Sequence, residues 1–179
     1  MENYQQIEYS VESNYSLEEI MNLFGTELSI LAFSYVKDIE ASKDIVQNVF
    51  IKCFLHLNTF QGRSTLKTWL YRITINQCKD YIKSNYFKKI LLVGFTRDAE
   101  TKLTPETITI KKVENEEVIT KIMELSKKYR EVLILRYIHQ LDIKEIADVL
   151  SLSAETIKTR IRRAKLKLLP AIKGDFFNE

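Results

Sequence analysis

The stretch Asp142–Leu169, DIKEIADVLSLSAETIKTRIRRAKLKLL, reads as two short helices joined by a tight turn. Asp142 is placed to cap the first helix, and Glu145, three residues on, completes a capping box. Ile143, Ile146, Ala147 and Leu150 form the apolar stripe of that helix. Ser151-Leu152 makes the turn and Ser153 caps the second helix. There Ile157, Ile161, Ala164 and Leu168 recur at i, i+4, i+7 and i+11 and so share one side. At about 100° per residue, Glu155, Thr159, Arg162 and Arg163 fall opposite, flanked by Lys158, Arg160, Lys165 and Lys167. A helix that is dry on one side, cationic on the other and braced by a neighbour suits the major groove of DNA. A basic amphipathic helix is also compatible with a merely solvated face, so charge elsewhere in the chain has to be weighed.

That charge is unevenly spread. The net formal charge is only +3, but Met1–Thr59 holds 9 acidic and 3 basic residues, whereas Phe60–Leu92 holds 7 basic and 1 acidic. Val93–Leu150 is nearly balanced, and Ser151–Gly174 again holds 7 basic and 1 acidic. Two separated basic segments imply two places that hold a polyanion. The acidic first third suits a protein surface better than DNA.

With 179 residues and 45% apolar content, the chain has enough material for one or two small cores. Four Gly and two Pro in the whole chain argue against a turn-rich β fold. There is no apolar run near 18 residues, and the polar, acidic N-terminus MENYQQIEYSVESNY does not read as a signal peptide. No membrane insertion and a cytoplasmic location are therefore expected. Cys53 and Cys78 stand in no paired or metal-ligand spacing and read as reduced core thiols. His56 and His139 are too scattered for a metal site, and no cofactor motif is visible.

Helical periodicity organises the rest. Leu17–Val36 reads as one or two helices with Leu17, Ile20, Leu23, Phe24, Leu28, Leu31 and Tyr35 inward. Ala41–Leu57 reads as a helix whose stripe is Ile45, Val46, Val49, Phe50, Cys53, Phe54 and Leu57, with Asp44, Gln47, Asn48 and Ile51 on the other side. A loop, Asn58–Ser64, precedes a third helix, Leu66–Ile82, with Trp69, Leu70, Ile73 and Tyr81 as expected core. Gly94–Thr109 keeps no period and reads as a linker. Helices resume at Glu114, with Val118, Ile119, Ile122 and Met123 as one stripe and Tyr129, Val132, Leu133, Leu135 and Tyr137 as the next. The fold class is thus all-α, with two small helical domains joined by a flexible linker. The segment Phe60–Phe87 interleaves aromatic and basic residues, as unpaired bases favour. Trp69 and Tyr71 at helical spacing suit a core as well as a stacking platform.

Several of these runs together resemble one family. Asp44-Ile-Val-Gln47-Asn48-Val-Phe50 is similar to region 2.2 of bacterial sigma factors. Phe60-Gln-Gly62, then Thr68-Trp69-Leu70-Tyr71-Arg72-Ile73 and Asn76, resemble regions 2.3 and 2.4. Leu125-Ser126, Tyr129-Arg130-Glu131-Val132, Glu145-Ile146-Ala147, Thr156–Arg160 and Arg163-Ala164 resemble region 4. Their order resembles the extracytoplasmic-function (ECF) group of the sigma-70 family, over nearly the whole chain from Tyr15 to Leu169. The resemblance implies a disordered tail over 1–14, a region 2 bundle over 15–92, a linker over 93–113 and a region 4 helix-turn-helix domain over 114–174. It implies a non-enzymatic factor that binds core RNA polymerase and promoter DNA, directs transcription initiation and regulation, and is open to control by an anti-sigma factor. Asp44, Gln47 and Asn48 would meet the polymerase clamp helices. Phe60, Trp69, Tyr71, Arg72, Asn76 and Lys79 would bind and melt the −10 element, with Phe60 and Asn76 holding a flipped base. Thr156, Lys158, Thr159, Arg162 and Arg163 would meet the −35 element.

The chain departs from the family pattern at three positions. Ser126 stands where Pro is usual, and Ser is expected to cap a helix about as well. Ser151 stands where the turn usually has Gly, at a cost of about 1 kcal/mol if φ is positive. Asn48 stands where many members have Glu, which weakens an electrostatic contact to the clamp. A linker of about 20 residues reaches at most ~70 Å. That is roughly 20 base pairs at ~3.4 Å each, so one chain can bridge two separated elements. A dimeric helix-turn-helix regulator with a sensing domain is the alternative, but it leaves the basic, aromatic first-domain segment unexplained. A nuclease would need a carboxylate cluster or phosphate loop that is not visible.

Overall fold

The computed structural model describes residues 16–92 and 116–171; the expected tail (1–14), the linker (93–113) and the end of the last domain lie outside the described residues. Among the described residues seven α-helices follow in order: α1 Leu17–Val36, α2 Ile39–His56, α3 Leu66–Leu92, α4 Glu116–Glu124, α5 Lys127–Leu133, α6 Ile143–Leu150 and α7 Ala154–Leu168. The described residues contain no strand. The all-α expectation is met, and both halves of the chain are helical bundles.

Local chemistry sets most helix starts. Ser16 opens α1 with a capping box: its hydroxyl accepts from the Glu19 N–H at 3.2 Å, and the Ser16 N–H donates to Glu19 at 2.8 Å. That acceptor role holds the Glu19 carboxyl below the usual carboxylate range. Asp38 caps α2 through Ala41 at 3.0 Å, and Thr65 accepts from the Thr68 N–H at the head of α3 at 3.1 Å. α1 is a single helix that ends at Lys37 in the left-handed conformation, φ 55°. α3 runs ten residues past its expected end at Ile82, because neither Gly nor Pro stands between Leu66 and Gly94 to stop it.

The first three helices pack together. Ile20, Phe24, Leu28 and Leu31 of α1 meet Ile45, Val49 and Cys53 of α2 and Leu66, Leu70, Ile75 and Cys78 of α3. Two expected core residues are on the surface instead: Leu23 is 47% exposed and Phe54 64% exposed. Each extends its helix's stripe by one position, and the three-helix packing has no partner for that edge. Cys53 and Cys78 are buried free thiols, and burial pushes them up to about 11 and about 12.

In the second half, Val118, Ile122 and Met123 of α4 pack on Leu133, Ile134, Ala164 and Leu168. Ser126 does occupy the N-cap of α5, but its hydroxyl makes no capping bond, contrary to expectation; only its carbonyl is used, by Tyr129 and Arg130. Buried Arg130 closes the end of α4 by donating to the Met123 and Leu125 carbonyls at 3.0 and 3.3 Å. A π-helical turn, Ile134–Ile138, follows α5. The expected capping box of α6 is present, with Glu145 N–H to Asp142 at 2.7 Å and Asp142 N–H to Glu145 at 2.8 Å. Ser151 has φ 55° and ψ 48°, the strained value anticipated for the turn.

The two bundles share one core. Val132, Leu135, Leu141, Ile146, Val149, Leu150 and Ile157 belong to the same buried cluster as α1, α2 and α3. Glu131 is the polar tie. It accepts from the Tyr35 hydroxyl of α1 at 2.9 Å and pairs with Arg160 of α7 at 2.8 Å.

Two stability measurements follow. Ser151→Gly removes the Cβ clash at a left-handed residue and should stabilise the protein by up to about 1 kcal/mol, read as a raised urea midpoint at unchanged m. Arg160→Ala leaves the buried Glu131 carboxylate without its ion-pair partner and should cost about 3 kcal/mol, whereas Arg162→Ala, on the exposed side of α7, should change stability by less than about 0.5 kcal/mol.

Candidate nucleic-acid interface

α7 presents the first surface. Ile157, Ala164 and Leu168 are buried and Ile161 half-buried, so the inward side is as expected. Lys158, Arg162 and Arg163 are exposed, and Thr156 and Thr159 are half-buried. Ser153 caps the helix through the Thr156 N–H at 3.2 Å, and the two hydroxyls lie 2.8 Å apart. Thr156 is thus part of the cap as well as of the outer face. Lys158 pairs with Glu155 at 2.7 Å on the surface, a contact worth little in water. Two flanking cations are committed elsewhere, Arg160 to Glu131 and half-buried Lys165 over the Tyr137 ring at 5.2 Å; Lys167 stays exposed, 5.7 Å from the Tyr129 ring centre. The cationic ridge offered to solvent is narrower than the sequence pattern implies, and centres on Lys158, Arg162 and Arg163.

The second surface lies where α2, the following loop and α3 meet. Phe60 and Trp69 are both half-buried, with ring centroids 5.1 Å apart and planes tilted by 40°. With Lys52, His56 and Ile73 they line a cavity of about 300 Å³. Asn76 is exposed on α3, one turn beyond Ile73, and Lys79 is exposed one turn further on. The structure therefore joins Phe60 to Trp69 with Asn76 and Lys79 along the same helix. Lys52 and His56 were not anticipated as lining residues. Their α2 periodicity marked them only as off-stripe.

Tyr71 and Arg72 do not join that cavity. Tyr71 is completely buried. Its hydroxyl lies 2.6 Å from Glu27 of α1 and 3.0 Å from Nδ1 of His139, and burial together with the Glu27 carboxylate raises its pKa well above the usual phenol value. No ring face is left for a base to stack on in this arrangement. The core reading of Tyr71, left open by the sequence, is the one this geometry displays. Arg72 donates through Nε to the Asp148 carbonyl of α6 at 2.8 Å.

The third surface is the outer side of α2. Asp44, Gln47 and Asn48 are all exposed, away from Ile45, Val46 and Val49. Gln47 borders an apolar groove of about 460 Å³ formed with Leu17, Met21, Ile51, Phe54 and Leu55. This explains why Phe54 does not face inward. Among the described residues, no helix is long and apolar enough to cross a membrane.

Known families and proteins match both halves of the chain. Residues 24–87 match the family description Sigma-70 region 2, and residues 115–168 match Sigma-70, region 4. The chain is 32% identical over 139 residues to the RNA polymerase sigma factor SigV of Bacillus subtilis, covering 78% of this chain and 80% of that one. It is 27% identical over 156 residues to the ECF RNA polymerase sigma factor SigW of the same organism, covering 82% and 83%. It is 30% identical over 131 residues to the ECF RNA polymerase sigma-E factor of Escherichia coli, covering 68% and 69%. In fold it is similar to the sigma factor RpoE in complex with the anti-sigma factor NepR from Bartonella quintana, at TM-score 0.74 and 22% identity over 88% of this chain and 97% of that one. Two ordered sigma regions in one helical chain leave the dimeric-regulator alternative unfavoured. The chain belongs to the ECF group of the sigma-70 family and is an RNA polymerase sigma factor.

Proposed function

We propose that the three surfaces divide the work of promoter recognition as follows. Residues 15–92 form the module for core polymerase and the −10 element, 93–113 the connection, and 114–174 the −35 module. The outer side of α2, with Asp44, Gln47 and Asn48, docks on the clamp helices of core polymerase. The apolar groove beside Gln47 supplies area that polar contacts alone lack. Arg162, Arg163, Lys158, Thr156 and Thr159 enter the major groove at the −35 element. Phe60 and Asn76 hold a base flipped from the −10 element, beside Trp69 and Lys79. The carrying observation is the ring-lined cavity of Phe60 and Trp69, bordered by Lys52 and His56. Such a pocket offers stacking to a base and the Lys52 ammonium to its phosphates, and so offsets the few kcal/mol of unstacking.

Tyr71 holds α3 in place from its opposite side, through Glu27 and His139, and Arg72 reaches DNA only after leaving Asp148. The work involves no covalent chemistry and takes place in the cytoplasm, where polymerase and promoter are. The RpoE structure is a complex with the anti-sigma factor NepR, which supports an anti-sigma factor as a partner here as well.

Run-off transcription with purified core polymerase tests the reading. Phe60→Ala and Asn76→Ala should keep core binding and −35 recognition yet open a duplex promoter poorly, by permanganate footprinting, and a pre-melted bubble should restore much of the activity. Full opening by both variants, or no rescue by the bubble, removes the base-capture role. Arg162→Ala or Arg163→Ala should cost ~1–3 kcal/mol at one base of the −35 element; unchanged preference across a −35 library for both counts against the α7 assignment. Asp44→Arg with Gln47→Ala should weaken competition for core polymerase at unchanged helix content.

A further inference from the structure

The contact between the two bundles contains a polar cluster that neither reading surface uses. It joins α1 and α3 on one side to the residues after the π-helical turn on the other. The Tyr71 hydroxyl sits between Glu27, at 2.6 Å, and the His139 Nδ1, at 3.0 Å, and the two rings meet edge to face at 5.1 Å. Lys67 donates to the His139 carbonyl at 3.4 Å, pairs with Glu27 at 3.5 Å and lies 5.6 Å from the Tyr71 ring centre. Buried apolar side chains pack around this cluster: Leu66, Leu70 and Ile75 in α3, and Leu135, Leu141 and Ile146 opposite.

The hydrogen-bond roles here are dictated by chemistry. The Glu27 carboxylate only accepts, so the Tyr71 O–H donates to it. Its oxygen then accepts from His139, which must carry its proton on Nδ1. Nε2 is left as a bare lone pair. It is buried, and among the described residues it has no hydrogen-bond partner. His139 itself is 4% exposed.

We infer that this cluster is a proton-sensitive clasp: the two modules of the free protein are held closed through Tyr71 and His139, and protonating His139 at Nε2 opens them. A second tie, Tyr35–Glu131–Arg160, holds the same two modules without containing a histidine. The closed state has a functional cost that rests on the promoter reading. Arg72 of the −10 module is bonded to the backbone of the −35 module, so in this arrangement the two reading surfaces sit on one compact body. Elements about two turns of DNA apart, near ~70 Å, cannot both be met from it. The clasp has to release before the chain spans a promoter.

The direction of the proton effect follows from burial. A proton on Nε2 would create a charged ring in an apolar contact beside the Lys67 ammonium, and these two causes, burial first, lower the His139 pKa from 6.5 to about 3. The other charged groups around the ring are Glu27 and Glu145, which act on Tyr71, and Arg136, which donates to the Leu141 carbonyl at 3.1 Å. In the open state α3 no longer covers the ring, and an ordinary histidine value returns. The closed state therefore keeps its full advantage above about pH 6.5 and loses it as pH falls toward 3. The ratio of open to closed should rise about tenfold between pH 7.5 and pH 5.5.

The test is energy transfer between dyes on Lys43→Cys in α2 and Lys144→Cys in α6, both exposed, in the full chain; native Cys53 and Cys78 are buried and label slowly. Helix content is followed alongside by circular dichroism. Tyr35→Phe weakens the second tie and should raise the open fraction severalfold at every pH. In that background the open-to-closed ratio should climb about tenfold on going to pH 5.5 at constant helix content. His139→Gln, which keeps an N–H for Tyr71 and cannot be protonated, should abolish the climb. An undiminished climb in His139→Gln overturns the proposal, as does a flat response in the Tyr35→Phe background or a climb that tracks loss of helix. A failed fluorescence test leaves the promoter reading standing, and a failed transcription test leaves the clasp standing.

Discussion

The burial of α3 is the constraint on which the rest of the molecule depends. One side of this helix supplies Leu66, Leu70, Ile75 and Cys78 to the packing with α1 and α2. An adjacent side carries Tyr71 and Lys67 to the second bundle, and Trp69, Ile73 and Asn76 lie on what remains. A helix with three tasks has little freedom to rotate. A turn by one residue position, about 100°, would move Trp69 out of the ring-lined cavity and drive Arg72 into the core. The ring-lined cavity proposed to hold a base is therefore held in register by apolar packing on the other sides of α3.

Polar groups within that packing are accounted for one by one. Thr74 returns its hydroxyl to the Leu70 carbonyl at 2.9 Å, and Ser34 to Leu31 at 2.7 Å. Arg130 closes the end of α4, and Glu131 is held from both sides. Burial and the neighbouring Glu131 push the Tyr35 phenol far above its usual range, so it stays a donor at any working pH. Against this background the bare Nε2 of His139 stands out, because a buried lone pair without a donor loses its hydration for no return. Replacing a hydrogen-bonded contact between modules by purely apolar packing would make it tighter but insensitive to protons.

Binary pattern and capping carried much of the fold in advance. The stripe Ile157, Ile161, Ala164 and Leu168, the capping box of Asp142 and Glu145 and the outward set Asp44, Gln47 and Asn48 all lie where their periodicity puts them. Each is a local signal, set by 3.6 residues per turn and by backbone groups within four residues. The misplacements share a different cause. Leu23 and Phe54 fit their stripes yet lie outside, because a stripe says which side is apolar and not how wide the partner is. Tyr71 was compatible with either core or surface until Glu27 and His139, 44 and 68 residues away, received its hydroxyl. Ser126 reached the cap position without using its side chain, since φ and ψ define an N-cap and a hydroxyl need not follow.

By itself the sequence determined the class and the inventory: all-α, two helical modules, a basic last helix, an acidic first third and ring-bearing residues among cations. These follow from short-range periodicity, charge and capping, which a chain carries wherever it is folded. Tertiary structure alone decided that the two modules share one core, that Arg160, Lys165 and Lys167 are turned to Glu131, Tyr137 and Tyr129, and that Lys52 and His56 complete the cavity of Phe60 and Trp69. Those pairings join residues from different helices. They depend on which apolar sides meet and at what angle, and no periodicity within a single helix encodes that choice.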